Sequence, residues 1–115
     1  MLPSLMPQTR EYEDEDGQSP FGKWFDALEP IAAARVRLSV AKLETGLLPN
    51  VKSVGGGVHE AKVEYGPGYR VYFAFDGKDL VLLLGGGQKG GQSIDVAAAQ
   101  KRWVDYKKRK RAAAR

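Results

Sequence analysis

One short stretch, VHEAKVEYGPGYRVYF from Val58 to Phe73, holds residues whose types and spacing suit the handling of a polyanion. Two runs that alternate like strands flank Gly66-Pro67-Gly68, a strong turn signal. Alternate residues of a strand share a face. Glu60, Lys62 and Glu64 therefore lie on one face of the first strand, with Arg70 and Tyr72 on the same face of the second. His59, Ala61, Val63, Tyr69, Val71, Phe73 and Phe75 form the opposite, largely apolar face. A guanidinium is always charged and grips anionic oxygens with a planar fork, and an ammonium adds a compact point charge. With Pro67 at the centre of the turn, Tyr65 pairs with Tyr69, Glu64 with Arg70, Lys62 with Tyr72 and Glu60 with Ala74. Glu64 and Arg70 would then form an ordinary cross-strand ion pair of about 0.2–1 kcal/mol. The charged face is thus either a solvated sheet surface or the floor of a site.

The elements that must position these residues can be read outward from the hairpin. A third strand, Lys78 to Leu84, follows the turn signal Asp76-Gly77. It is expected to send Leu80, Leu82 and Leu84 to the apolar face, and Val81 and Leu83 to the Arg70 face. That gives a greasy floor beside a charged cluster, either open to a partner or ligand or covered by the last helix through Trp103. Upstream, Ser19-Pro20 is a helix start, and Phe21, Trp24, Phe25 and Leu28 make an apolar stripe. Pro30 ends that helix and opens a second. Its apolar set is Ile31, Ala34, Val36, Leu38, Val40 and Leu43, its polar side is Arg35, Arg37, Lys42 and Glu44, and Gly46 is its cap. Thr9 to Glu13 reads as a short edge strand. After Gly85-Gly86-Gly87 a final helix begins near Ser93 or Asp95 and carries Val96, Gln100, Trp103 and Tyr106. The order β-α-α-β-β-β-α predicts an α+β fold: a small antiparallel or mixed sheet with a helix hairpin on one face and a C-terminal helix. Residues 1–8 are expected to be disordered, 9–107 to form a single domain, and 108–115 to be a basic C-terminal tail.

The bulk properties narrow the chemistry. At 115 residues the chain fits one domain. With no cysteine, disulfides and thiolate chemistry are excluded. A single histidine and no cysteine argue against a zinc site, and Gly85 to Lys89 is too short for a P-loop. No metal or other cofactor is expected. No apolar run approaches the ~20 residues of a membrane span, and the first residues lack the pattern of a signal peptide. The expectation is a cytoplasmic protein that does not engage a membrane. A net charge of +4 permits a nucleic-acid partner. Lys101 to Arg115 holds eight basic residues against the single Asp105. That run either binds phosphates or is a solvated helix end whose cations suit the helix dipole.

Three strings, PFGKWFDAL, VKSVGGGVHEAKVEYGPGYRVYF and LLLGGGQKGGQSIDVAAA, occur in an order and spacing that resembles the RelE/ParE superfamily of toxins from bacterial type II toxin–antitoxin modules. The likeness runs from about Tyr12 to Tyr106. It is greatest to the HigB-like "addiction module killer protein" branch, which pairs GPGYRVYF with a GG-x-K-x-x-Q string. The resemblance implies a RelE-like fold and a toxin that is an mRNA interferase, a ribosome-dependent endoribonuclease that inhibits translation. ParE relatives instead jam DNA gyrase without cleaving anything, and an inactive toxin acting as co-repressor is a further alternative. By position, Arg70 matches the family arginine that contacts the scissile phosphate. Lys89 sits in the loop of a basic catalytic residue, Lys62 on the strand that carries lysines, and Glu60 matches the branch's usual glutamate. Tyr72 and Gln92, the last residue of GGQKGGQ, are the expected substrate-binding residues. The expected partners are mRNA on the ribosome and a cognate antitoxin with a helix-turn-helix.

RNA cleavage of that type uses the 2′-OH as internal nucleophile on the adjacent phosphate. It needs a base, an acid, and cations for the charge on the pentavalent phosphorus. Arg70 suits the last task. Lys62 or Lys89 would serve as base or as phosphate clamp, and Glu60 would orient Lys62 or act as base itself. Tyr72 would stack on a base or pack beside Leu83. His59, on the opposite face, is expected to be a structural or surface residue.

Overall fold

The computed structural model describes residues 7–46, 48 and 50–114. The elements are β1 (Gln8–Glu11), α1 (Pro20–Asp26), α2 (Pro30–Glu44), β2 (Val51–Gly55), β3 (Val58–Val63), β4 (Tyr69–Asp76), β5 (Leu80–Gln88) and α3 (Gln92–Ala113). The five strands form one mixed sheet in the order β1-β5-β4-β3-β2, with β1 parallel to β5 and every other pair antiparallel. Residues 1–6, most of the stretch expected to be disordered, lie outside the described residues.

Local chemistry accounts for the helix hairpin. The Ser19 hydroxyl accepts the Gly22 N–H at 2.9 Å, and Pro20 opens α1. The Glu29 carboxylate accepts the N–H groups of Ile31 and Ala32 and caps α2, which Pro30 opens. Phe21, Val36 and Leu43 from these helices meet Val71, Phe73, Val81 and Leu83 of the sheet in one core. A second core lies on the other side, where Ala99 and Trp103 of α3 cover Tyr72, Ala74, Leu82 and Leu84. The molecule therefore has three layers, and both faces of the sheet are covered.

Three features depart from the sequence reading. Strand β2 was not foreseen, because VKSVG runs into Gly55-Gly56-Gly57, all at positive φ, and reads as linker. Strand β5 does not stop at Leu84 but carries the glycines through to Gln88. Its register also differs from any that puts Leu80, Leu82 and Leu84 on the apolar face: Asp76 pairs with Leu80, so three residues close the hairpin. An odd shift of that kind turns every side chain to the other face. Val81 and Leu83 consequently lie with Phe73 under the helix hairpin, whereas Leu82 and Leu84 lie on the Arg70 and Tyr72 side beneath α3. A register shift between Tyr72 and Phe73 leaves Leu84 as the extra residue of a bulge.

The glycine run in β5 is explained by packing on both sides of the sheet. An ideal Cβ on Gly86 would lie 2.2 Å from the Trp24 ring of α1, and one on Gly87 would lie 2.0 Å from Asp95 Oδ2 of α3. A Cβ on Gly85 would lie 2.6 Å from Arg102 Nη1, which donates to the Leu84 carbonyl at 2.9 Å. Residues 108–113 continue α3. Two cations near that end hold the helix down: Lys110 reaches Asp76 of β4 at 2.7 Å, and the Arg109 guanidinium lies 5.3 Å from the centroid of the Tyr12 ring.

Candidate functional site

The β3–β4 pairing brings the candidate residues together by a register two residues away from the expected one. Lys62 pairs with Arg70, and Glu60 with Tyr72. An even shift preserves the faces, so the charged set stays on one side while its partners change. Glu64 is no longer opposite Arg70. Arg70 instead donates through Nε to Glu60 Oε1 at 3.2 Å. Both residues are buried, with 6% and 3% of their surfaces exposed.

An open cleft of about 360 Å³ lies beside this pair. Lys62, Glu64, Arg70 and Lys89 line it, together with the turn Gly66-Pro67-Gly68. Gly68, at φ 87°, is where the parts converge. An ideal Cβ there would lie 3.7 Å from Lys89 Cβ and 4.0 Å from Arg70 Nη1. The Lys89 N–H donates to the Gly68 carbonyl at 3.1 Å and ties the β5–α3 loop to the β3–β4 turn. The loop is closed further by Gly91 N–H to the Gln88 carbonyl and by Gly90 N–H to Gln92 Oε1. Arg70 is thus held at Nε from behind, with Nη1 towards the cleft that Lys62 and Lys89 also line. Such a constellation of donors suits the non-bridging oxygens of a phosphate.

The other expected site residues, Glu60, Tyr72 and Gln92, do not line this cleft. Glu60 faces a neighbouring cleft between the β2–β3 edge and the start of α3, where Gln92 and Ser93 also lie. Tyr72 is fully buried in the core under α3 and offers no ring face on which a base could stack. Its hydroxyl has no hydrogen-bond partner among the described residues. Burial, reinforced by the charges of Glu60 and Asp95, pushes its pKa up to about 12. His59 stacks on Phe73 and meets Phe75 edge-on, on the face opposite Arg70. Among the described residues no cluster of three or more His, Cys, Asp or Glu side chains is arranged to hold a metal. No helix of the described residues is long and apolar enough to cross a membrane.

The sequence reading names Asp95 only as a helix start. It packs on Gly87, the β5 partner of Arg70, and burial raises its pKa against the lowering effect of Arg102. The signal was the glycine triplet itself, since glycine inside a strand marks close approach by another group.

Comparison with known proteins places this geometry in a family. Residues 23–104 match the model of the family described as "Phage derived protein Gp49-like (DUF891)", a span that contains Glu60, Lys62, Arg70, Lys89 and Gln92. An uncharacterized protein of Haemophilus influenzae is 35% identical over 81 residues, covering 70% of this chain and 82% of that relative. A family match over most of the chain, including the whole β3–β5 unit and the loop that carries Lys89, leads to one assignment: the chain belongs to the phage-derived Gp49-like family.

Proposed function

We propose that this protein is the toxin of a type II toxin–antitoxin module and that it cleaves mRNA on the ribosome. The Gp49-like family is associated with toxin–antitoxin systems and is consistent with a toxin role. The observation that carries the reading is the convergence of Lys62, Arg70 and Lys89 on one cleft. The helix hairpin, sheet and C-terminal helix also suit the RelE-like arrangement that the sequence motifs resemble.

In this reading Arg70 binds the scissile phosphate through its terminal nitrogens and stabilises the charge that grows on the pentavalent phosphorus. Glu60 is a positioning residue, because its carboxylate is spent on Arg70 Nε inside the protein. Lys62 and Lys89 flank the phosphate as cations that offset the charge on its non-bridging oxygens, while the 2′-oxygen bonds to phosphorus, the bond to the 5′-oxygen breaks, and the 2′-OH proton ends on the departing 5′-oxygen. These steps use side chains alone. The partners are mRNA in the cytoplasm and an antitoxin with a helix-turn-helix.

The burial of Arg70 favours a second reading, in which the protein cleaves nothing and instead blocks DNA gyrase or acts as a co-repressor. One experiment separates the two. The wild type and the variants Lys62→Ala, Lys89→Ala and Arg70→Lys are expressed briefly, RNA 5′ ends are mapped, and plasmid supercoiling is measured in the same cells. New 5′ ends within coding regions that fade in all three variants support the nuclease. Intact RNA with lost supercoiling supports the gyrase inhibitor, and no toxicity in either assay supports the co-repressor.

A further inference from the structure

We infer that the RNA path continues past the cleft, over Lys62, into a second groove between α2 and β3, where Arg35 and Lys42 bind two further phosphates of a single-stranded polynucleotide. The inference rests on the nuclease reading above and extends it to substrate positioning.

The second groove has a volume of about 180 Å³. Arg35, Leu38 and Lys42 line it from α2, and Lys62 and Glu64 from β3 and its end. The two grooves share Lys62, Val63 and Glu64, so they are continuous. Together they are lined by five cations, Arg35, Lys42, Lys62, Arg70 and Lys89, against the single carboxylate Glu64. Arg35 and Lys42 stand seven residues apart on one face of α2, which places them about 10 Å apart along the axis. Leu38 lies between them and is 61% exposed, an apolar contact left open in the middle of a cationic track.

Arg35 is exposed, but its side chain rests on a ring. Its guanidinium lies 5.4 Å from the centroid of the Tyr65 ring. Tyr65 begins the turn of the first cleft, with its N–H on the Val63 carbonyl and its carbonyl accepting from Gly68 N–H. The ring that braces Arg35 therefore belongs to the same turn that lines the Arg70 cleft, which links the two cationic sites. Among the described residues neither Arg35 nor Lys42 forms an ion pair, so both charges are free for an outside anion. A chain of phosphates matches this layout, because it presents negative charges in series, and a single bound anion would leave the second groove unused.

The test is fluorescence anisotropy with 2′-O-methyl oligonucleotides, which cannot be cleaved, of four and twelve nucleotides over a salt series. The groove variant is Arg35→Gln with Lys42→Gln. The control is Lys101→Gln with Lys108→Gln, which removes the same charge from exposed positions on α3, across the sheet. Each phosphate contact to a single strand contributes about 0.7 to the slope of log K against log salt. For the 12-mer, the groove variant should therefore lower the slope by about 1.4, with the control close to wild type. The 4-mer should lose much less. Equal losses in groove and control variants, or equal losses for the two lengths, overturn the second subsite while leaving the nuclease reading standing if RNA 5′ ends still appear on expression. A wild type that binds neither oligonucleotide and leaves RNA intact on expression overturns both. Polyglutamate of matched charge that binds more tightly than the 12-mer, with the same sensitivity to Arg35→Gln and Lys42→Gln, assigns the groove to an acidic protein segment instead and overturns the proposal.

Discussion

Arg70 and Glu60 form an ion pair on neighbouring strands, Nε to Oε1 at 3.2 Å, with side chains only 8% and 4% exposed. They sit diagonally, since Arg70 is directly opposite Lys62 and Glu60 opposite Tyr72. The pair fixes the long arginine side chain at one nitrogen and settles which end of the guanidinium meets the cleft.

Removing one member of a buried pair strands the other charge and typically costs about 3–5 kcal/mol. Arg70→Ala and Glu60→Ala are each expected to destabilise on that scale, and the double variant by much less than their sum. Urea denaturation of the four proteins gives the coupling directly. Additive effects would mean that the pair is not a unit. Loss of toxicity in Arg70→Ala therefore needs the comparison with Arg70→Lys, which keeps the charge but not the fork, and with Lys62→Ala and Lys89→Ala, whose side chains are exposed.

Two adjacent glycines should respond very differently to alanine. At Gly86 the new methyl meets the Trp24 indole, a bulky ring packed against Phe21 and Tyr69 at centroid distances of 5.8 and 6.3 Å. Overpacking of that kind costs about 1–3 kcal/mol or more. At Gly87 the obstacle is the carboxylate end of Asp95, which can rotate. Gly86→Ala is expected to lower the urea midpoint clearly more than Gly87→Ala, and the reverse order would refute this account of the triplet.

These contacts also show where the sequence is legible and where it is not. The helix hairpin is written locally, in Ser19-Pro20, in the stripe Phe21, Trp24, Phe25 and Leu28, and in Pro30. The faces of β3 and β4 follow from alternation, and an even error in register does not disturb them. The face of β5 depends on whether two or three residues close the hairpin after Asp76, a difference that Asp-Gly-Lys-Asp does not announce. Strand β2 is obscured by the glycines that follow it. The burial of Arg70 and Tyr72 belongs to tertiary packing: it needs α3 laid across the sheet, with Asp95, Ala99 and Trp103 inward, and no short motif encodes that placement.

Tyr72 carries a buried hydroxyl without a partner among the described residues. A group of this kind costs roughly 1–3 kcal/mol, so Tyr72→Phe should raise stability at neutral pH. In the wild type one phenol should titrate at about 12 rather than at the ordinary 10.0. A folded pKa above the unfolded one means that stability is intact below pH 10 and falls as pH climbs from 10 towards 12. Absorbance titration near 295 nm should show a late step that disappears in Tyr72→Phe. A variant that is less stable than wild type would mean that the hydroxyl is satisfied.

Acid should act on the α3 contacts in two opposite senses. The Asp76 carboxyl is held below its ordinary 3.8 by hydrogen bonds from Lys110 and then Tyr106, and that of Asp105 by hydrogen bonds from Tyr12 and then Arg109. Depressed carboxyl pKa values give stability that is present above 3.8 and lost as pH falls below it. Asp95 is the reverse case. Burial raises its pKa, so its charged form opposes folding at neutral pH, and the opposition fades as pH falls through that raised value towards 3.8. Asp95→Asn should therefore be more stable than wild type at pH 7, with the difference closing by about pH 3, below both the raised and the ordinary value. Asp76→Asn and Asp105→Asn should be less stable at pH 7 and should lose less than wild type between pH 4 and pH 2.5. Urea midpoints across that range check all three. An Asp95→Asn variant that is destabilised at pH 7 would show that the carboxylate makes a favourable contact at the start of α3, where the helix dipole welcomes negative charge, and that this contact outweighs the cost of its burial.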